Sequence, residues 1–532
     1  MKRVRLTYWV GVGASLTVLL IGVGCGFSGS AVNNTNTLAD DDVTSVAGPV
    51  DPTRVVDAET VPRDQYAKAL SASTLIYPSA TPDEIAAFNR GLAIFTAPRT
   101  SDTDGEGPYF NQRNCLGCHM SQLPGQAATP ASRARTQDAF LIFGDFNPAT
   151  GEYRPRADLL GPIFHKQQLT GFPRQPLPLP QDVLEPLIRQ QANNPNYPSP
   201  LANLNPPLSA ANPANGSAPL PGAPFVRVVG MRAAPPYIGR GLMEAIPDAE
   251  INGQGNNPVP FPASDPNAAD GINFFENQNS EAASIVGGSP VVRVSRFGLR
   301  AAGPTLLQFV VGGTNGEIGL TSPFAPTDNL SSPQQKPKPS QDLTADNIRD
   351  LRTMIRMIAP PARAPIAPGS AEERGAALFG FDATQPRGLA VNRNLNCSGC
   401  HTPIMITGQS PAQVGGSHLS NKRFFPFSDL LIHNMGPADA DNTLPGQGRA
   451  NGATWRTPPL MGIGVTGPPF FHDGRILANQ SLESALDQAI DAHDNNGIDT
   501  TSEAHAVAQR YRALPDTGVN SKADVIAFLK TL

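Results

Sequence analysis

Apolar residues fall at helical spacing in four stretches of the chain. In the first, Ile85, Phe88, Leu92 and Phe95 share one face, which predicts an amphipathic helix. Thr81-Pro82-Asp83-Glu84 ahead of it reads as a capping box with Pro at the first helical position. A second helix is predicted from Asn347 to Ile358, with Ile348, Leu351, Ile355 and Ile358 inward and Pro360-Pro361 ending it. A third runs from Leu482 to His493, where Leu482, Leu486, Ala489, Ile490 and His493 lie on one face. The last is capped by Ser521-Lys522-Ala523-Asp524 and packs Val525, Ile526, Phe528, Leu529 and Leu532. Breakers dominate between these helices. Gly 50 and Pro 55 make up about a fifth of the 532 residues, so long Pro/Gly-rich loops and insertions are expected in a mainly α chain. Residues 171–224 hold 14 prolines from Pro173 to Pro224 and are expected to wrap the surface without forming long helices.

Part of the pattern occurs twice. Arg90-Gly91-Leu92-Ala93-Ile94-Phe95 follows the first capping box and leads to NCLGCH at 114–119. Ser370-Ala371-Glu372-Glu373 is a second capping box, followed by Arg374-Gly375-Ala376-Ala377-Leu378-Phe379 and then NCSGCH at 396–401. Cys-x-x-Cys-His is the attachment signature of c-type haem. Two thiols within one turn each add to a vinyl group of one porphyrin, and the adjacent His supplies the proximal iron ligand. Cys115, Cys118, Cys397 and Cys400 are therefore the expected thioether residues, with His119 and His401 as ligands. A zinc ribbon needs its Cys pairs close in sequence, and a redox dithiol does not explain the His in both copies. The expectation is two covalently bound haem c groups on two tandem cytochrome c-like domains, residues 75–345 and 346–532.

Net charge is -5 with 40 basic and 45 acidic residues; the basic residues are scattered, so nothing suggests nucleic acid. The fifth cysteine, Cys25, ends a different signal. Lys2, Arg3 and Arg5 precede an apolar run from Val10 to Val23, which reads as a signal peptide over residues 1–24. Ile21-Gly22-Val23-Gly24-Cys25 is similar to a lipoprotein cleavage box, although Gly22 departs from the usual Leu-like residue. A lipid anchor at Cys25, a flexible tether over 25–74 and a periplasmic location at the outer membrane are expected, with ordinary signal cleavage as the alternative.

GPYFNQRNCLGCH, PPYIGRGLMEAIPDAEI, RFGLRAAGPTLLQ, GEIGLTSP, DLLIHNMGP and WRTPPLMGIG…FFHDGR…SLESALDQAIDAH together resemble the bacterial dihaem oxidoreductase family, related to dihaem cytochrome c peroxidases. The resemblance runs from about Thr81 to Leu532, interrupted by the proline-rich insertion. It implies an exported peroxidase-like oxidoreductase that takes electrons from a small redox protein or quinone-linked donor and passes them to hydrogen peroxide or dioxygen. Members of such families hold calcium between the domains; no acidic loop here demands Ca2+, and it stays open.

The second axial position on each iron decides the chemistry. His493 is the expected ligand opposite His401, because it shares the apolar face of its helix and, by resemblance, the helix after the HDG turn carries this ligand. A solvent-facing His at a helix end is the alternative, and Met435, in a Gly-Pro turn, is the rival ligand. No His stands out for the first haem. His165 is either a polar loop residue or a displaceable ligand, and an open iron is favoured. Glu317, in what reads as a Gly-rich turn, is the acid–base candidate there or else a structural cap. Trp455 approaches the inter-haem region by resemblance, as an electron relay or a buried aromatic without redox role. His472 is expected to bond a propionate or the backbone. A bis-His electron-transfer haem paired with an open, peroxide-reactive haem is the leading reading. A dihaem oxygenase acting on an apolar substrate and a non-enzymatic electron carrier are the alternatives.

Overall fold

The structure is a computed structural model that describes residues 47–67, 72–99, 107–119, 139–169, 172, 174–197, 201, 218–234, 236–251, 270, 272, 275–281, 283–286, 288–327, 341–445, 447–477 and 479–532. The predicted signal peptide, Cys25 and the first part of the predicted tether lie outside the described residues, as does part of the proline-rich insertion. The principal helices are α1 (Pro82–Thr96), α2 (Gln181–Gln191), α3 (Leu306–Ile318), α4 (Ala345–Arg356), α5 (Ala371–Phe379), α6 (Leu482–Asp491) and α7 (Lys522–Leu529). Helix exceeds strand, as expected of a mainly α chain, and no described helix is long and apolar enough to cross a membrane.

The sequence starts α1 as anticipated. Thr81 Oγ1 accepts the Glu84 backbone N–H at 3.3 Å and Glu84 Oε2 accepts that of Thr81 at 2.8 Å, satisfying two donors a helix start leaves open. At α5 the box is only half formed: Ser370 caps Glu373, but the Glu373 carboxylate reaches Gly369 N. Each of these helices then crosses a closing helix, α1 on α4 and α5 on α7, and the two crossings are built alike. A Cβ at Gly91 would overlap the Asp350 carbonyl oxygen, and one at Gly375 the carbonyl of Asp524. The preceding arginines bind those same residues: Arg90 Nε lies 3.1 Å from the Asp350 carboxylate and Arg374 Nη2 lies 2.8 Å from that of Asp524. The boundary expected at residue 345/346 therefore falls on the wrong side of α4. That helix completes the first half, since α1 needs a partner for its apolar face.

The two halves share a core. Phe88, Phe95, Leu351 and Ile355 pack in one cluster with Met405, Leu419, Phe424 and Leu431. A second cluster joins Phe379, Phe427, Leu486, Val525 and Phe528.

Three features depart from the sequence reading. Residues 47–67, read as tether, are packed: Val56–Asp57 pairs in parallel with Lys422–Phe424. The Arg63 guanidinium donates to the carbonyls of Lys530, Thr531 and Leu532, groups that the end of α7 leaves unsatisfied. A polar, aperiodic segment can thus be ordered through its backbone. Secondly, the proline-rich insertion contains α2, of 11 residues. Leu184 and Ile188 are fully buried, so one apolar face outweighs the hydrogen bond lost at Pro186. Thirdly, α2 lies on a sheet whose longest pair, Phe140–Phe146 against Val226–Arg232, runs antiparallel over seven residues with Phe143 opposite Val229.

The Gly91 and Gly375 crossings leave no room for a methyl group. Gly91→Ala and Gly375→Ala are each expected to cost about 1–3 kcal/mol by overpacking. Gly222→Ala, where a Cβ meets nothing within 4 Å, should stay within about 0.5 kcal/mol. Thermal melts followed by circular dichroism check the ranking.

Candidate haem cavities

The second Cys-x-x-Cys-His turn opens with Asn396 in the left-handed region at φ 66° and continues as a tight turn over Cys397–Gly399. The His401 N–H returns to the Cys397 carbonyl at 3.0 Å. Cys397, Cys400 and His401 thereby line one wall of a cavity of about 2,100 Å³. His493 lines the same cavity. It sits in the 3-10 turn Ala492–Asp494 that follows α6, so the helix ends earlier than predicted while the side chain still turns inward.

The two imidazoles are set alike. His401 Nδ1–H donates to the Phe427 carbonyl at 3.0 Å and His493 Nδ1–H donates to the Ala489 carbonyl at 2.7 Å. Each bond fixes the tautomer and leaves Nε2 as a lone-pair donor. The ring centres are 6.3 Å apart and the planes 65° apart. A ring nitrogen lies about 1.1 Å from its ring centre and metal–imidazole bonds are about 2.0–2.1 Å, so two rings on opposite sides of one metal have centres about 6.2–6.4 Å apart. His401 and His493 stand at that separation. Burial lowers the His401 pKa to about 4, with His493 as the next cause, and burial also lowers that of His493. Both rings are neutral at pH 7, as metal ligation requires. Met435 lines this cavity too.

The first cavity, of about 990 Å³, is lined by Cys115, Cys118 and His119 together with Phe95, Phe140, Tyr237, Arg232, Arg300 and a face of α3. Asn114 holds the Cys turn: its Oδ1 accepts Gly117 N at 2.9 Å and its Nδ2 donates to the Thr96 carbonyl at 3.0 Å. The surroundings of the two proximal His rings repeat closely. Phe95 lies 6.2 Å from His119 at 47°, and Phe379 lies 6.4 Å from His401 at 48°. Tyr237 stands edge-on to Phe95 at 5.9 Å and 74°, as Phe427 does to Phe379 at 5.8 Å and 75°. The Tyr237 hydroxyl also reaches His119 Nε2 at 2.8 Å. No local signal in PPYIGRG marks that contact.

Glu317 belongs to this cavity. It lies in the last turn of α3, not in the Gly-rich turn expected of GEIGLTSP; the glycines of α3 disguise a helix whose other positions are mostly buried. Asn111 Nδ2 donates to Glu317 Oε2 at 2.7 Å. His165 is buried outside the lining. Its backbone N–H donates to Gln175 Oε1 at 2.7 Å, and its Nε2–H donates to the Gly316 carbonyl at 3.0 Å, so the ring is committed away from His119. Among the described residues, no second imidazole lines the first cavity beside His119.

Trp455 stands between the cavities. Its indole stacks on His472 at 3.7 Å and 14°. The Arg300 and Arg232 guanidinium carbons lie 4.2 and 4.8 Å from its ring centre. Both arginines line the first cavity, whereas Trp455 and His472 line the second. The His472 ring is thus engaged with Trp455, while its backbone carbonyl accepts Ala233 N at 2.7 Å. His433, which sequence reasoning passed over, is clamped between Asp429 at 2.9 Å and Glu503 at 3.0 Å. Cys400, Asp429 and His433 form the one three-residue group able to hold a metal among the described residues; calcium takes an all-oxygen shell, which this group does not offer.

These cavities fit two porphyrins. Arg232 Nη2 and Arg300 Nε are buried without a hydrogen-bond partner, and leaving such N–H groups unpaired costs about 1–3 kcal/mol each. The propionates of a haem in the first cavity would supply acceptors. Both cavities offer a Cys-x-x-Cys-His wall and largely aromatic and aliphatic linings, so the molecule is a haem protein of two-site type. The chain belongs to the family described as "Di-haem oxidoreductase, putative peroxidase", whose model matches residues 225–336 and 374–532. The matched segments take in Glu317, Cys397, Cys400, His401, Trp455 and His493; Cys115, Cys118 and His119 lie ahead of them. That description names haem as the family's cofactor and oxidoreduction as its reaction class.

Two solved structures are similar over part of their length. A MauG-like protein associated with microbial copper homeostasis is 18% identical, with 36% of this chain and 54% of that chain covered and a TM-score of 0.23. Hydrazine synthase of Kuenenia stuttgartiensis is 17% identical, with 42% of this chain and 62% of that chain covered and a TM-score of 0.18. The chain therefore spans less than two thirds of either. No curated protein matches.

Gly313 of α3 lines the first cavity, and a Cβ there meets nothing within 4 Å. Gly313→Leu should project into the space a porphyrin needs and alter the electron paramagnetic resonance (EPR) signal of one ferric iron only. Unchanged signals from both irons would show that this cavity is not a haem site.

Proposed function

We propose that the protein is a peroxide-reducing dihaem oxidoreductase whose two haem sites divide the work. The observation that carries the reading is the contrast between the cavities. His493 faces His401 at metal-bridging separation in the second, whereas the first pairs His119 with a carboxylate, Glu317. Cys115 and Cys118 hold one haem and Cys397 and Cys400 the other, as thioethers on two tandem cytochrome c-like halves. A bound haem supplies reversible one-electron chemistry and, where its sixth position is open, a place for peroxide.

The protein's residues do the rest. A haem bound in the second cavity would be held by His401 and His493 and would serve electron transfer. One bound in the first cavity would be held by His119. Reduction of hydrogen peroxide consumes two electrons and two protons and yields two waters, so one proton must reach the departing oxygen as the O–O bond breaks. Glu317 is placed to move it. Arg232 and Arg300 hold the first haem's propionates, and the Arg300–Trp455–His472 stack carries electrons between the cavities. A small redox protein or a quinone-linked donor supplies them. Export, a lipid anchor at Cys25 and a periplasmic, outer-membrane location complete the proposal.

An apolar wall of Phe95, Phe140, Phe309 and Val310 in the first cavity favours a second reading, dioxygen attack on an apolar substrate. The Asn111–Glu317 pair favours the peroxide reading, because proton delivery is what O–O cleavage requires.

Spectra and variants test this. The denatured protein should retain two haems by pyridine haemochrome assay. The ferric protein should show one high-spin and one low-spin iron by EPR; two low-spin irons would leave only electron transfer. His493→Gly should convert the low-spin signal to high-spin, while His165→Gly should leave the first iron's spin state unchanged. Glu317→Gln should slow peroxide cleavage by roughly a hundredfold or more with both haems in place. The opposite response of the two His variants would reverse the division of labour.

A further inference from the structure

Asn111 sits four residues ahead of the first haem-attachment cysteine and is 3% exposed. Nothing in a lone Asn before a Cys turn marks it as functional, yet the structure fixes it from every side. The Asn111 backbone N–H donates to the Glu317 carbonyl at 2.8 Å. Gln167 Nε2 donates to the Asn111 carbonyl at 3.0 Å. The side-chain Oδ1 accepts the Lys166 backbone N–H at 3.2 Å. An amide whose oxygen is taken by an N–H must present its nitrogen at the other end, and there Nδ2 meets Glu317 Oε2 at 2.7 Å. The flanking strand, Tyr109–Phe110 paired with Gln167–Gln168, anchors all of this against the end of α3.

Influences of opposite sign act on the Glu317 carboxyl group. It lies in the final turn of a 13-residue helix, where the partial negative charge of the helix end disfavours an anion. The Asn111 N–H favours the anion, because a donor to a carboxylate stabilises the charged form. A group that must take a proton and return it works best when neither form dominates.

We propose that Asn111 is the positioning residue of the first cavity: it holds Glu317 in one rotamer and sets the pH range over which that carboxyl exchanges a proton. This rests on the peroxide-reducing reading given above. The partner chemistry is that of a small protic ligand, H–O–O–H or H–C≡N, which binds an open ferric iron only after passing its proton to a nearby base.

Cyanide binding to the full-length ferric holoprotein therefore reads the exchange without turnover. In the wild type, the association rate should fall on acidification through a limb set by Glu317, and Glu317→Gln should abolish that limb. Asn111→Ala should keep both haems and the limb but move it to higher pH by about one to two units, the value of one hydrogen bond to a charged group. Asn111→Asp keeps the acceptor for Lys166 N and replaces the donor with a second carboxylate. It should move the limb further the same way, and serves if the alanine variant loses haem. If Glu317→Gln abolishes the limb and neither Asn111 variant moves it, Asn111 is structural and this inference is wrong, while the role of Glu317 stands. If Glu317→Gln leaves the limb unchanged, the reading of Glu317 itself fails. A purely structural Asn111 would lower haem content or melting temperature without shifting the limb.

Discussion

Two helix crossings without a side chain between them set the geometry on which both cavities depend. At Gly91 and Gly375 the backbone of one helix comes so close to an aspartate carbonyl of the next that a methyl group would overlap it. The Arg90–Asp350 pair beside the first crossing is solvent-facing, Arg90 being 59% exposed, and such a pair contributes only about 0–1 kcal/mol; at the second crossing Asp524 is buried. Close packing is thus the stronger constraint, since interiors tolerate little added volume. Its effect travels one turn along each helix. Phe95 and Phe379 follow their glycines by four positions and share their helix faces, so the crossing determines where each phenyl ring meets its His. The near-identical ring distances and tilts in the two halves follow from that shared origin.

Beyond the proximal side the halves diverge, and the divergence lies in which element closes each cavity. In the second half α6 and the turn after it bring in His493, with a carbonyl of its own helix holding the ring. In the first, α3 closes the cavity, and Gly313 and Thr314 keep that face shallow while Glu317 adds the acidic group. A saturating imidazole and a proton-exchanging carboxylate suit opposite tasks, electron storage and bond cleavage. Under the proposed function, one repeated Cys-x-x-Cys-His scaffold would serve two chemistries through the elements packed over it.

Local signals made much of this legible in the sequence. Capping boxes, the Arg-Gly pairs and the Cys-x-x-Cys-His turns each lie within a few residues, and each has a physical cause that needs no distant partner. His493 stands out in the sequence because it continues the apolar face of α6, and its side chain lines the cavity of His401 even though the helix ends before it. Long-range pairing was not legible. The strands at 140–146 and 226–232 are joined through more than seventy residues dense in proline, and neither carries the alternation that marks a half-exposed strand. Asn111 reaches Glu317 across 206 positions, and Tyr237 reaches His119 across 118; a single sequence holds no trace of either. Glycine misled at GEIGLTSP, where Gly316 and Gly319 read as a turn although Gly316 and Glu317 lie inside α3, while Gly313 of the same helix leaves the cavity face open.

The wall between the cavities is built from charge, and its electrostatics explain its order. Arg300 donates to the carbonyls of Asp441, Thr443, Leu444 and Gly452, so backbone oxygens spread the cost of burying its guanidinium. Arg232 is paired with Asp441. With Arg300 and Arg232 already over the Trp455 ring, a charged His472 imidazole stacked on it would add a third cation, with the Asp473 carboxylate 4.0 Å away. Burial, then Arg475, Arg232 and Arg300, drive the His472 pKa well below its ordinary value, and the ring stays neutral and stacks flat. The wall thereby turns guanidinium edges toward the first cavity and an uncharged aromatic pair toward the second. Anionic groups are drawn to one side of Trp455, and the other side is left for contact between aromatic surfaces.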